Sequence, residues 1–232
     1  MFEHTENSDR SSSGVGDAAA MRAGSTETLA KLFSEYRSRL KRIVQFRLDY
    51  RLAGRFSESD VLQDAFVAAS QRLDHFAKQE MSPFLWLRLV VTQQVVNLYR
   101  EHVQTEKRDV RKERISLQAP LGSAQTSLAI AANLVGQRTG VSELVARAER
   151  IEQLKVTIEK MDPIDREVIA LRHFEELSNV ETASVLGIET SAASKRYLRA
   201  MARLAQSMKE QEAASNYGRP SQPRGVAEPP GE

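Results

Sequence analysis

From Ser178 to Met208 the chain carries two short helical patterns with a glycine between them, and this stretch limits what the whole can be. Ser178 and Glu181 form the S-x-x-E arrangement of a capping box, in which each side chain satisfies the other residue's free backbone N–H. Val180, Ala183 and Leu186 follow at i, i+3 and i+6 as an apolar stripe. Gly187 stands where a helix C-terminus favours a left-handed residue, and Ile188 packs the turn. A second helix starts near Thr190 or Ser191, with Ala193, Tyr197, Ala200, Met201 and Leu204 on its buried side. From Thr190 to Lys209 it holds Lys195, Arg196, Arg199, Arg203 and Lys209 and no Asp or Glu. That is the pattern of a helix-turn-helix, whose second helix lies in the major groove of duplex DNA. The alternative is a solvated basic helix that closes an αα-hairpin.

Charge is sorted along the chain in a way that its net value of +2 hides. From Glu27 to Ser116 there are 17 Lys/Arg against 12 Asp/Glu; from Ala148 to Glu210 there are 10 against 11. The acids of the second stretch lie mainly upstream of the last helix and leave its cations concentrated. Sorting of this kind makes a local positive field without a basic protein. With no cysteine, disulfides, thiolate metal sites and thiol catalysis are excluded, which fits a reducing cytoplasm. No apolar run reaches the roughly 18 residues of a membrane span, and Met1 to Arg22 lacks a signal-peptide core, so no membrane insertion is expected.

Met1 to Ser25 is rich in Ser, Gly and Ala and reads as a disordered arm. Leu29, Leu32, Phe33, Tyr36, Leu40, Ile43, Val44 and Leu48 recur at helical steps and predict one long amphipathic helix with a basic outer face. Ser57 and Asp60 start a second helix. It buries Val61, Leu62, Ala65, Phe66, Ala69 and Leu73 and leaves Asp60, Gln63, Asp64 and Val67 on or beside the opposite face. This acidic, amide-bearing patch is either a docking surface or a set of carboxylates favouring the helix's positive end. Ser82-Pro83 is a cap followed by proline at the first helical position. The helix beyond it interleaves Phe84, Trp86, Leu87, Val90 and Tyr99 with Arg88, Gln93, Gln94, Asn97 and Arg100. Aromatics among amides and arginines suit unstacked bases, or they are simply core.

Residues 103–141 contain Pro120, Gly122, Gly136 and Gly140 and read as a linker, with room for a helical turn at Ser127 to Val135. Leu144, Val145, Ala148, Ile151, Leu154, Ile158 and Met161 open a new periodic stretch. Asp162-Pro163 repeats the cap-plus-proline signature, and Ile164, Val168, Ile169 and Leu171 form a further apolar face. The proline- and glycine-bearing end, 211–232, reads as a disordered tail. The expected fold is all-α: two small helical domains, 26–102 and 142–210, joined by a flexible linker, the second holding the helix-turn-helix. His4, His75, His102 and His173 form no metal pattern, and no phosphate loop or nucleophile elbow occurs. No catalytic residue, metal or cofactor is expected, and the chain is not read as an enzyme.

Together these stretches resemble a bacterial RNA polymerase sigma factor of the extracytoplasmic-function type. Asp60-Val61-Leu62-Gln63-Asp64-Ala65-Phe66 is similar to the family's D-[LV]-x-Q-[DE]-x-F segment of region 2. Phe84-Leu85-Trp86-Leu87 is similar to its F-x-x-W-L, and Leu186-Gly187-Ile188 with Ser194-Lys195-Arg196 resembles region 4. The resemblance covers about Thr26 to Arg100 and Ile151 to Leu204. It implies docking of Asp60, Gln63 and Asp64 on the clamp coiled coil of core polymerase's largest subunit, with the C-terminal domain on the flap. It implies capture of the melted −10 strand by the loop His75 to Pro83 with Trp86, Arg88, Gln93, Asn97 and Arg100. Reading of the −35 duplex falls to Thr190, Ser191, Ser194, Lys195, Arg196 and Arg199. Promoter DNA and core RNA polymerase are the implied partners, with an anti-sigma factor a further candidate. The chain departs from the pattern at Gln93, where family members typically have Asn, at Asn97, where they have Asp, and at Ser191, where a turn glycine is usual. The rival reading is a stand-alone helix-turn-helix regulator with an N-terminal dimerisation domain.

Overall fold

Among the residues that the computed structural model describes, 15–102, 123–136 and 143–217, the regular structure is helical. The fold is all-α, as its periodicities predict. A helix over 15–22, α1, precedes α2 (Thr26–Glu35) and α3 (Arg37–Arg47). Then come α4 (Glu58–Ser70), the short α5 (Leu73–Ala77) and the 20-residue α6 (Pro83–His102). The second half consists of α7 (Ser123–Val135), α8 (Glu143–Glu159), α9 (Pro163–Ile169), α10 (Asn179–Leu186) and α11 (Thr190–Tyr217).

Local chemistry places most of the boundaries. Ser57 and Asp60 form a complete capping box at the start of α4. Ser178 and Glu181 do the same at α10, and Asp162 caps α9 with proline at its first position. Each satisfies backbone donors that the first helical turn leaves open.

Four expectations change. The predicted arm at 1–25 is helical over 15–22: Met21 is fully buried in the core, and both Asp17 carboxylate oxygens accept from Lys31 at 2.9 Å. One apolar side chain and one ion pair anchor a stretch whose small residues carry no periodic signal. The single long helix predicted from Thr26 breaks at Tyr36, which ends α2 and precedes α3. The break sets the Tyr36 ring edge-on to Phe84, at 5.3 Å between centroids. Within the stretch read as linker, α7 is a full helix rather than a turn, held by Ile130 and Ala131, both 0% exposed. At the C-terminal end α11 continues to Tyr217, into the predicted tail. The rest of the arm, linker and tail lies outside the described residues.

The two halves pack against each other. Leu171, Leu177 and Val185 of the second half belong to the core formed by α1 to α6. Phe46 of α3 belongs instead to the core of α7 to α11, stacked on Phe174 at 4.7 Å. After α9 the chain continues as a π-turn over Ala170–Phe174. Glu175 N–H donates to the Ala170 carbonyl, five residues back, at 2.9 Å. Glu176 follows with φ of 54°, a left-handed conformation uncommon outside glycine. This irregular turn carries Glu175 into the interface and leaves Glu176 at its exposed rim, and π-turns of this kind recur at functional positions.

Candidate polymerase and nucleic-acid interface

On α4 the apolar face, Val61, Leu62, Ala65, Ala68 and Ala69, is buried. Asp60, Gln63, Asp64 and Val67 recur at i, i+3, i+4 and i+7, so they form one strip, and all four are exposed. Asp60 also closes the capping box: its carboxylate accepts from the Ser57 hydroxyl at 2.7 Å and from Ser57 N–H at 3.0 Å. Those two bonds hold its carboxyl below the usual carboxylate range. The helix-end explanation therefore applies to Asp60, whereas Gln63 and Asp64 stand further along the exposed strip.

Ser82 caps α6 by accepting from Leu85 N–H at 3.3 Å. The helix runs between layers and is buried nearly all round over its first three turns. Trp86 is 1% exposed and packs on Phe76 at 5.2 Å, so it is core in this conformation and cannot stack on a base directly. Arg88, a second residue that the resemblance assigns to DNA, is also buried, and both of its ends meet Glu175 (2.7 and 3.1 Å). Gln93 and Asn97, one turn apart, are half-buried and joined by a 2.8 Å bond from the Gln93 amide to the Asn97 carbonyl. Arg100 continues their face and is exposed.

In the helix-turn-helix, Gly187 takes φ of 64°, the left-handed cap its position predicts. Ile188 N–H returns to the Ala183 carbonyl at 3.1 Å. The Asn179 side chain donates to the Thr190 carbonyl at 2.7 Å and ties the start of one helix to the start of the next. These local bonds set the angle between α10 and α11. Ala193, Ala200 and Leu204 of α11 are buried, while Thr190, Ser191, Ser194, Lys195 and Arg199 are exposed. Val180, predicted to line the inner stripe of α10, is instead 66% exposed. Arg196 is half-buried and donates to Asp165 at 2.9 Å. Arg203 donates to the other oxygen of the same carboxylate at 2.7 Å.

Between the halves lies a buried charged cluster that no sequence motif announces. Arg47 of α3 donates to Glu175 at 2.5 Å and to Glu167 of α9 at 2.6 Å. The Thr126 hydroxyl on α7 accepts from Arg47 at 3.1 Å and donates to Glu167 at 3.0 Å. Burial pushes the Glu175 carboxyl up, but Arg47 and Arg88 outweigh it and hold the group below its ordinary value of 4.5. Burial likewise works against the Arg47 charge, and Glu167 and Glu175 more than restore it. At the rim, Arg39 lies over the Phe84 ring at 3.5 Å and donates to both oxygens of Glu181 at 2.9 Å. Arg42 pairs with Glu176 at 2.7 Å.

Residues 151–204, which hold most of α8 through the recognition part of α11, match the family described as "Sigma-70, region 4". Over 146 residues the chain is 33% identical to the RNA polymerase sigma factor CnrH of Cupriavidus metallidurans, covering 62% of this chain and 70% of that one. The chain is a sigma factor of the extracytoplasmic-function type. This sigma factor is thus a transcription initiation factor with a DNA-binding helix-turn-helix. A solved structure of CnrH in complex with the cytosolic domain of CnrY aligns with 84% of this sigma factor and 96% of that chain, at 24% identity and a TM-score of 0.45. Among its described residues no helix is long and apolar enough to cross a membrane.

Proposed function

We propose that this sigma factor binds core RNA polymerase through the exposed strip of α4, with Gln63 and Asp64 as principal contacts and Asp60 fixing the helix start. The −35 element is read as duplex by the first turns of α11, from Thr190, Ser191, Ser194, Lys195 and Arg199. Arg196 joins them once it leaves Asp165. Arginine is the side chain best suited to paired contacts with guanine or phosphate. The melted −10 strand is held along α6 by the face of Gln93, Asn97 and Arg100, below the loop from His75 to Pro83. In this reading Trp86 works from the core: packed on Phe76, it positions that loop instead of stacking on a base. Extruding a base costs a few kcal/mol, which pocket and stacking contacts can offset. Residues 26–102 and 142–210 act as the two gripping modules, and the site of action is the cytoplasm.

The observation that carries this reading is the helix-turn-helix, whose outer α11 face is polar and exposed within a chain of the sigma family. Transcription in vitro with core polymerase, with and without the protein, tests it. Promoter-dependent initiation is expected only when the protein is present. Replacing Gln63 and Asp64 together by alanine is expected to abolish core binding with the helical signal unchanged. Unaltered affinity for core polymerase would rule out the α4 docking surface.

A further inference from the structure

A cavity of about 480 Å³ lies where the end of α3, the second half of α6, α7 and the start of α8 come together. Protein interiors leave few voids of that size, whereas sites for small organic molecules span about 300–1,000 Å³. Leu128, Ala129, Ala132, Asn133 and Gly136 follow at helical steps, so α7 turns one face to the cavity. That face carries small side chains where larger ones would fill the space. Leu48, Val95 and Val96 add apolar wall, and Phe46, Tyr50 and Tyr99 add aromatic rings. Charge enters at one place. Arg147 has its guanidinium over the Tyr50 ring at 5.4 Å, and its Nε donates to the Gly136 carbonyl at 2.9 Å. No carboxylate among the described residues pairs with it, so its terminal nitrogens remain as donors. The other arginine of the lining, Arg47, is already held by Glu167 and Glu175. Asp49, the one carboxylate of the lining, has both oxygens engaged by Arg51, at 2.9 and 2.6 Å.

We propose that this cavity is a binding site for a small aromatic acid, its rings seated between α6 and α7 and its acidic group on the Arg147 guanidinium. The walls set the first requirement. Aromatic side chains favour an occupant with rings, which they meet edge-on or offset-stacked. Arg147 sets the second, because a guanidinium offers planar, paired donors to a carboxylate or sulfonate. Apolar surroundings strengthen such a bond and penalise a cation left without one. Since α3, α6, α7 and α8 all contribute to the walls, an occupant touches each of them and stabilises the folded chain on binding. None of the residues assigned above to polymerase or DNA lines the cavity, so the site stands independently of those assignments.

Two fluorescent dyes test this on the full chain: anilinonaphthalene sulfonate, which joins aromatic rings to an acid, and phenylnaphthylamine, which has the same rings and no charge. The sulfonate is expected to bind saturably at one equivalent and to raise the melting temperature as its concentration rises. The neutral dye is expected to bind about tenfold more weakly, the worth of one charge-assisted hydrogen bond. Arg147→Gln is expected to weaken the sulfonate by about tenfold and leave the neutral dye unchanged. A general loosening of the fold would not produce that split. Ala132→Phe fills the space from the α7 side and is expected to abolish binding of both dyes with the helical signal retained. Should that variant lose its helical signal, the Arg147→Gln comparison decides alone. Absence of saturable binding would overturn the proposal, as would unchanged binding in a folded Ala132→Phe or an equal loss for both dyes in Arg147→Gln.

Discussion

Glu175 and Asp165 are both buried, each holds a pair of arginines, and it is the arginines whose surroundings differ. Glu175 grips Arg47 and Arg88 where all three side chains are at most 5% exposed. Asp165 grips Arg196 and Arg203, whose side chains are 33% and 62% exposed. Removing charges from water is costly, and a buried cluster repays that cost only when every member is paired. A pair whose cations reach solvent leaves no buried unpaired charge when it is broken, and it contributes less. The first cluster therefore works as a fastening between halves. The second is a looser rest for arginines of α11 whose ends already reach solvent.

Substitution should separate the two most sharply. Glu175→Ala leaves Arg47 and Arg88 buried without that partner, and urea unfolding is expected to show a loss of about 3–5 kcal/mol. A loss below about 1 kcal/mol would show that the cluster is solvated and that the contrast fails. Acid should act in the same direction more gradually. Because the folded-state carboxyl of Glu175 lies below its ordinary value of 4.5, its contribution is complete above that pH and fades as pH falls through the folded value. The stability gap between wild type and Glu175→Gln is thus expected to narrow in urea titrations carried below pH 4.5, and a gap that widens there contradicts the pairing. The smallest effect belongs to the second cluster: Asp165→Asn is expected to change stability by about 1 kcal/mol or less. Duplex binding should strengthen slightly as Arg196 is released, and weaker binding would show that Asp165 positions that arginine for DNA.

What the sequence reveals follows from how far apart the interacting residues lie. The capping boxes at Ser57 and Ser178, the Asp162-Pro163 start and the Gly187 cap all work within a few residues, and each stands where the pattern places it. The helix-turn-helix was legible for the same reason, as was the exposed strip of α4. Glu175 was not. Its partners are 128 and 87 residues away, and next to Glu176 at a helix end it reads as a solvated carboxylate. Arg88, a cation among aromatics, suggests DNA from the sequence alone, whereas the structure pairs it with Glu175 of the neighbouring half. Helix α7 carries too few large apolar residues to announce itself. Its order comes from tertiary contacts, with Thr126 wedged between Arg47 and Glu167.

The π-turn at Ala170–Phe174 gives the fastening an unusual genetic fragility. Such a turn is in effect an α-helix with one residue too many, and one residue on a helix is worth about 100° of rotation. Losing a single codon in this stretch would let α9 run on in ordinary register and swing Glu175 away from both arginines. The descendant would keep every helix, the α4 strip and the recognition helix, yet its halves would no longer be clasped. The clasp thus turns on one inserted residue, a far shorter step than building or erasing its charge pairs one by one.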